Sequence, residues 1–155
     1  MIGIDQPERV KAVILEAFHF YRSKPASREF FQTMAGDPDL LGERTAATLA
    51  REHGDDYWRR LIVTGGRAWL QIADESVDSK HDLYDGRLSE LGVSALFLHG
   101  SRDPRTEPGE MEAVREQLPI ARIEIIEGGG HSPHSESMAF GECNRIAREF
   151  LESLR

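Results

Sequence analysis

Residues 93–104 read VSALFLHGSRDP and residues 121–136 read ARIEIIEGGGHSPHSE. In the first stretch, 93–99 is an almost continuous apolar run closed by Gly100, the pattern of a buried strand. In the second, 121–126 alternates like a strand with one partly exposed face, and Gly128, Gly129 and Gly130 end it. Between them, 108–118 places Met111, Val114 and Leu118 on one helical face, with Pro108 at its start and Pro119 as its stop. A last helix carries Ala139, Cys143, Ile146, Phe150 and Leu154 at the spacing of three and four residues that lays a helix on a sheet. Strand, helix, strand, helix in this order predicts an α/β fold whose parallel sheet has right-handed crossovers.

Upstream, residues 10–15 (VKAVIL) read as a short strand, expected to be buried on both faces. From Phe18 to about Leu91 the pattern is helical. Ser27 is placed to cap a helix carrying Phe30, Phe31 and Met34, with Gly36 as its stop. Asp37 and Pro38 then open a helix with Leu41, Thr45 and Leu49 that runs to Gly54. Asp55 opens another, with Trp58, Leu61 and Ile62 on its apolar face. Gly65 and Gly66 are expected to bend or break it before Trp69, Leu70 and Ile72, and it ends near Asp74. Three or four helices are expected in this region.

In parallel sheets of this kind, reactive groups collect beyond the carboxyl ends of the strands. Glu16, Phe18 and His19 follow the first strand, 99–104 (HGSRDP) follows the second, and 128–134 (GGGHSPH) follows the third. Asp103 and His131 can therefore meet across neighbouring strand ends as a carboxylate–imidazole pair. Such a pair suits general-base chemistry, because the carboxylate fixes the imidazole in one tautomer and leaves its other nitrogen to take a proton. The glycines before His131 let its loop approach the neighbouring strand end closely.

HGSRDP followed by EGGGHSPHSE resembles the last two catalytic loops of the α/β-hydrolase fold family. The resemblance covers most of the chain. Residues 1–155 are similar to a single partial domain of that fold. Residues 10–15 match its sixth strand, 17–91 an inserted helical lid, and 92–155 the seventh and eighth strands with their helices. It implies that Asp103 stands where the family has its triad acid and His131 where it has its triad histidine. The family's nucleophile is a serine in G-x-S-x-G, ahead of the acid and the histidine in chain order. No such motif occurs here. Gly92-Val93-Ser94 leads into a strand instead of out of one, and Gly141-Glu142-Cys143 lies in a helix. The resemblance thus implies that the nucleophile, the oxyanion loop and five further strands, about 100 residues, belong before Met1.

Phe18, Phe30, Trp58 and Trp69 are candidates to line an apolar substrate pocket, or else to pack the lid helices together. Glu16 is an alternative acid, and His134 and Glu136 read as loop stabilisers. No metal and no cofactor is expected: the spacing of His131, His134 and Glu136 is that of no known zinc motif, and the triple glycine lacks a phosphate-loop lysine. The expected function is hydrolysis of an ester, lactone, amide or similar small-molecule bond by a triad of which this chain supplies two members, inactive by itself. The alternative is a non-catalytic binding or assembly module. The first strand's bare edge invites a separate N-terminal half or a second copy.

Composition narrows the classes further. In 155 residues, 19 basic against 27 acidic residues give a net charge of −8 without a block of like charge, which argues against a nucleic-acid partner. No apolar run approaches a bilayer's thickness, so no membrane partner is expected. A single cysteine excludes an internal disulfide and suits a cytoplasmic location.

Overall fold

The computed structural model describes residues 2–155. In chain order the elements are α1 (Ile2–Asp5), β1 (Ala12–Glu16), α2 (Arg28–Gly36), α3 (Glu43–His53), α4 (Trp58–Asp74), β2 (Ser94–Gly100), α5 (Glu110–Gln117), β3 (Arg122–Ile126) and α6 (Phe140–Glu152), with short 3₁₀ turns between them. The chain divides into two compact units. One comprises the residues up to Tyr21 together with Asp82–Arg155, and the other comprises Arg22–His81.

The first unit is built on a parallel sheet of order β1-β2-β3. The central strand is covered on both faces, as an unbroken apolar run requires. Ala95 and Phe97 face one core, shared with Phe18, Phe20, Leu88, Leu91 and the α5 residues Met111, Val114 and Leu118. Leu96 and Leu98 face the other, shared with Ile126 and the α6 stripe Ala139, Cys143, Ile146 and Phe150. Leu154, placed on that stripe by its spacing, lies beyond the end of α6 and is exposed.

β1 corrects one expectation. It is not buried on both faces: Val13 and Leu15 pack against the first core, whereas Ile14 is 37% exposed. The strand pairs only with β2, so it stands at the sheet's edge, and burial of both faces needs cover on both sides.

The second unit is helical and corrects three more. α4 runs unbroken for 17 residues through Gly65 and Gly66. The glycines mark a crossing instead of a break: a Cβ on Gly66 would stand 2.6 Å from Ala35 N and 2.9 Å from Phe31 O, so its absence lets α2 lie directly on α4. That packing outweighs the helix penalty of about 1 kcal/mol for a glycine. α4 also begins at Trp58 and not at Asp55. The helix expected from Pro38 to Gly54 is divided. Asp37 Oδ1 accepts from Asp39 N at 3.1 Å and starts only a 3₁₀ turn, Pro38–Leu41; Gly42, at φ 96°, then resets the chain before α3. Arg59 binds both oxygens of Asp39, at 2.8 and 3.1 Å, and ties that turn to α4.

Candidate active site

The loops after β2 and β3 are locked together before they present any side chain. Arg102 N donates to Gly129 O (2.8 Å), Ser101 N to Ile126 O (3.0 Å), and Gly128 N to Ser101 Oγ (2.9 Å). The seam is so tight that a Cβ on Gly100 would lie 2.1 Å from Gly130 O and 2.3 Å from Gly129 O. Only glycine fits at the end of β2. Gly128, at φ 73°, takes the left-handed conformation that turns the chain back toward that seam.

This approach joins the two residues singled out by the sequence. His131 Nδ1 lies 2.9 Å from Asp103 Oδ2. The Asp103 side chain is fully buried and its Oδ1 accepts from Arg105 N at 2.9 Å; the imidazole is 29% exposed. Burial by itself would raise the Asp103 carboxyl, but the bonds from His131 and Arg105 N, with the charge of His131 and His99 nearby, outweigh it and hold the group below the usual carboxylate range. A carboxylate facing Nδ1 selects the Nδ1–H tautomer. His131 Nε2 has no hydrogen-bond partner among the described residues. The arrangement is therefore a buried anion, an oriented imidazole and an accessible basic nitrogen.

Two further carboxylates fix the loop that carries His131. Glu136 accepts from Gly130 N (2.6 Å) and Ser132 N (2.9 Å), and these backbone bonds hold its carboxyl below the ordinary value. Glu16, the last residue of β1, does not reach His131. It accepts from His134 N at 3.0 Å, and its other oxygen lies 2.7 Å from His134 Nδ1. His19 lies beside the pair, its ring stacked 5.8 Å from that of His131.

The aromatic candidates fall in different places. Phe18 is a core residue of the sheet unit, edge-on to Phe97 at 4.8 Å and stacked on Tyr84 at 5.1 Å. In the helical unit, Trp58 is buried with the Arg59 guanidinium 4.4 Å from its ring centre, Trp69 stacks on Phe31 at 5.4 Å, and Phe30 is half-buried beside Phe31.

Sequence reasoning missed Glu110. Fully buried at the start of α5, it accepts from Phe20 N (2.8 Å), Tyr21 N (3.1 Å) and Glu107 N (2.9 Å), tying the segment after β1 to the loop between β2 and α5. An acid in the first turn of a helix is expected for its dipole alone, so nothing in the sequence distinguished this one. No helix among the described residues is long and apolar enough to cross a membrane.

No family model and no curated protein matches the chain. Solved structures do. The esterase RhEst1 from Rhodococcus sp. ECU1013 superposes with a TM-score of 0.61 at 17% identity, over 99% of this chain and 60% of that one. A thermophilic esterase from Thermogutta terrifontis gives 0.58 at 22% identity, over 97% and 58%. MGS-M2, an alpha/beta hydrolase enzyme from a Medee basin deep-sea metagenome library, gives 0.59 at 16%, over 97% and 59%. At these identities the likeness is one of fold. The chain carries part of an α/β-hydrolase fold and spans about three fifths of the length of the structures it matches.

Proposed function

We propose that this chain supplies the acid and the base of a Ser-His-Asp relay that hydrolyses an ester, lactone, amide or similar bond, and that the serine comes from outside these 155 residues. One observation carries the reading: the hydrogen bond of 2.9 Å between His131 Nδ1 and a fully buried Asp103, which leaves Nε2 unengaged. In the relay, Nε2 takes the proton of the attacking hydroxyl and passes it to the leaving group, while Asp103 keeps the ring in place and stabilises the imidazolium. The partial fold supports the same division of labour, because no serine among the described residues stands in a G-x-S-x-G turn; Ser101, which follows β2, has its Oγ engaged by Gly128 N at 2.9 Å. Ser94 begins β2, and Cys143 is buried on α6. The outer edge of β1 is the seam at which the nucleophile-bearing half, or a second copy, adds a strand.

Turnover of a short-chain p-nitrophenyl ester tests the reading. The chain alone is expected to be inactive; joined to the polypeptide that carries the serine, it is active, and His131→Ala then lowers kcat about 10⁶-fold. Turnover by the isolated chain, or an assembled His131→Ala variant with full activity, refutes the proposal. Partner binding at the β1 edge without any dependence on His131 would instead support an assembly module.

A further inference from the structure

Asp103 Oδ2 faces a second imidazole besides His131. His99 Nε2 lies 3.8 Å from that oxygen, on a side chain only 4% exposed. His99 is the penultimate residue of β2, in register with Ile125 of β3 and one residue beyond the last β1 pair, Glu16 with Leu98, so its backbone is held within the sheet. Nε2 is also hydrogen-bonded to Thr106 Oγ1. Thr106 closes the turn that Asp103 opens: Arg105 N binds Asp103 Oδ1 at 2.9 Å, and Thr106 N donates to Asp103 O at 3.4 Å. The carboxylate therefore sits on a four-residue turn whose far end is pinned by a buried histidine on the rigid central strand.

The geometry also selects the tautomer of His99. At 3.8 Å the contact with Oδ2 is too long for a hydrogen bond but short enough for the sign of the dipole to matter in a buried setting. A bare Nε2 would turn its lone pair toward an anion. Nε2–H presents its positive end and donates to Thr106 Oγ1.

We infer that His99, through Thr106, is a positioning residue for Asp103: it anchors the 103–106 turn and faces the carboxylate with an N–H so that the acid meets His131 Nδ1. The inference rests on the relay reading, since positioning has a purpose only if that pair acts. It predicts that His99 carries its proton on Nε2 and that the Asp103–His131 bond depends on the His99–Thr106 contact.

Imidazole ¹⁵N–¹H NMR of the 155-residue chain tests this without any need for turnover. The wild-type chain is expected to show His99 as the Nε2–H tautomer and a low-field Nδ1–H signal from His131. His99→Leu should lose that low-field signal, His99→Gln, which keeps a donor, should restore it, and amide exchange in β3 should be unchanged in both. Thr106→Val, which keeps the side-chain shape, should also lose the signal and decides the matter if His99→Leu does not fold. A Nδ1–H tautomer at His99, or a low-field signal that persists in Thr106→Val and His99→Leu, overturns the inference and leaves the relay reading intact. Absence of the His131 signal from the wild-type chain overturns both.

Discussion

Gly100→Ala is the sharpest probe of what builds the site. The added methyl would sit 2.1 Å from Gly130 O and 2.3 Å from Gly129 O, both backbone atoms, so no side-chain rotation relieves the clash. Real Cβ atoms essentially never come within 3.0 Å of such neighbours, so the two loops must part by roughly an ångström. Overpacking of this kind costs about 1–3 kcal/mol. The backbone bonds that cross the same seam, Arg102 N to Gly129 O and Ser101 N to Ile126 O, lengthen together, at about 0.5–1.5 kcal/mol each. A loss of about 3 kcal/mol or more follows, and for a unit of this size that lowers Tm by more than about 10 °C. The same displacement, transmitted in full, would stretch the Asp103–His131 bond from 2.9 Å past the limit of hydrogen bonding. The assay has to follow the correct unit. Both tryptophans, Trp58 and Trp69, belong to the helical unit, so tryptophan fluorescence reports on the wrong half, and amide exchange at Leu98 and Ile126 is the proper probe. Gly141→Ala is the control: a Cβ there meets nothing within 4 Å, and in α6 it should stabilise by a few tenths of a kcal/mol. If Gly100→Ala melts within about 2 °C of the parent chain and keeps the His131 low-field signal, close approach of the loops does not set the site.

Gly66→Ala should destabilise the helical unit by about 1–3 kcal/mol, visible as a lower midpoint by tryptophan fluorescence, because the methyl would press on Ala35 N and Phe31 O of α2. The Asp103 carboxyl titrates lower in the folded chain than in the unfolded one, so its contribution is complete above about pH 4 and is lost as pH falls through the folded value. Asp103→Asn should therefore lose about 1.5–3 kcal/mol near neutrality and show a flatter acid limb in urea midpoints measured against pH. The proposed pairing at the β1 edge predicts concentration-dependent self-association of the isolated chain in sedimentation velocity, which Ile14→Lys, a charge on the exposed edge strand, should abolish; no association in the parent chain, or association unchanged by the substitution, would count against pairing there.

The residues that make the sheet unit were legible because each is decided by its near neighbours. The apolar run of β2 and the stripes of α5 and α6 bury much of their surface against one another, and they lie in one contiguous segment. Features decided by distant backbone were not legible. Gly65 and Gly66 look like a break until α2 is seen to lie against them, and Ile14 looks buried until β1 is known to be an edge. Glu110 and the stacking of His19 on His131 belong to the same class, since they depend on where the segment after β1 passes relative to α5 and to the β3 loop.

That distinction bears on the chemistry. Asp103 and His131 stand on adjacent strand ends, and the following bonds, all within the sheet unit, orient them: Arg105 N on the carboxylate, His99 with Thr106 at the far end of the 103–106 turn, Glu136 on the loop, Ser101 and Arg102 across the seam, and Glu16 on His134. The pair can therefore be preorganised without the serine it would serve, because its geometry depends on packing within three strands and two helices. A nucleophile joined at the β1 edge would find the base already in one tautomer and the acid already desolvated. Assembly would then supply the missing hydroxyl and its oxyanion donors, with no rearrangement required of Asp103 or His131.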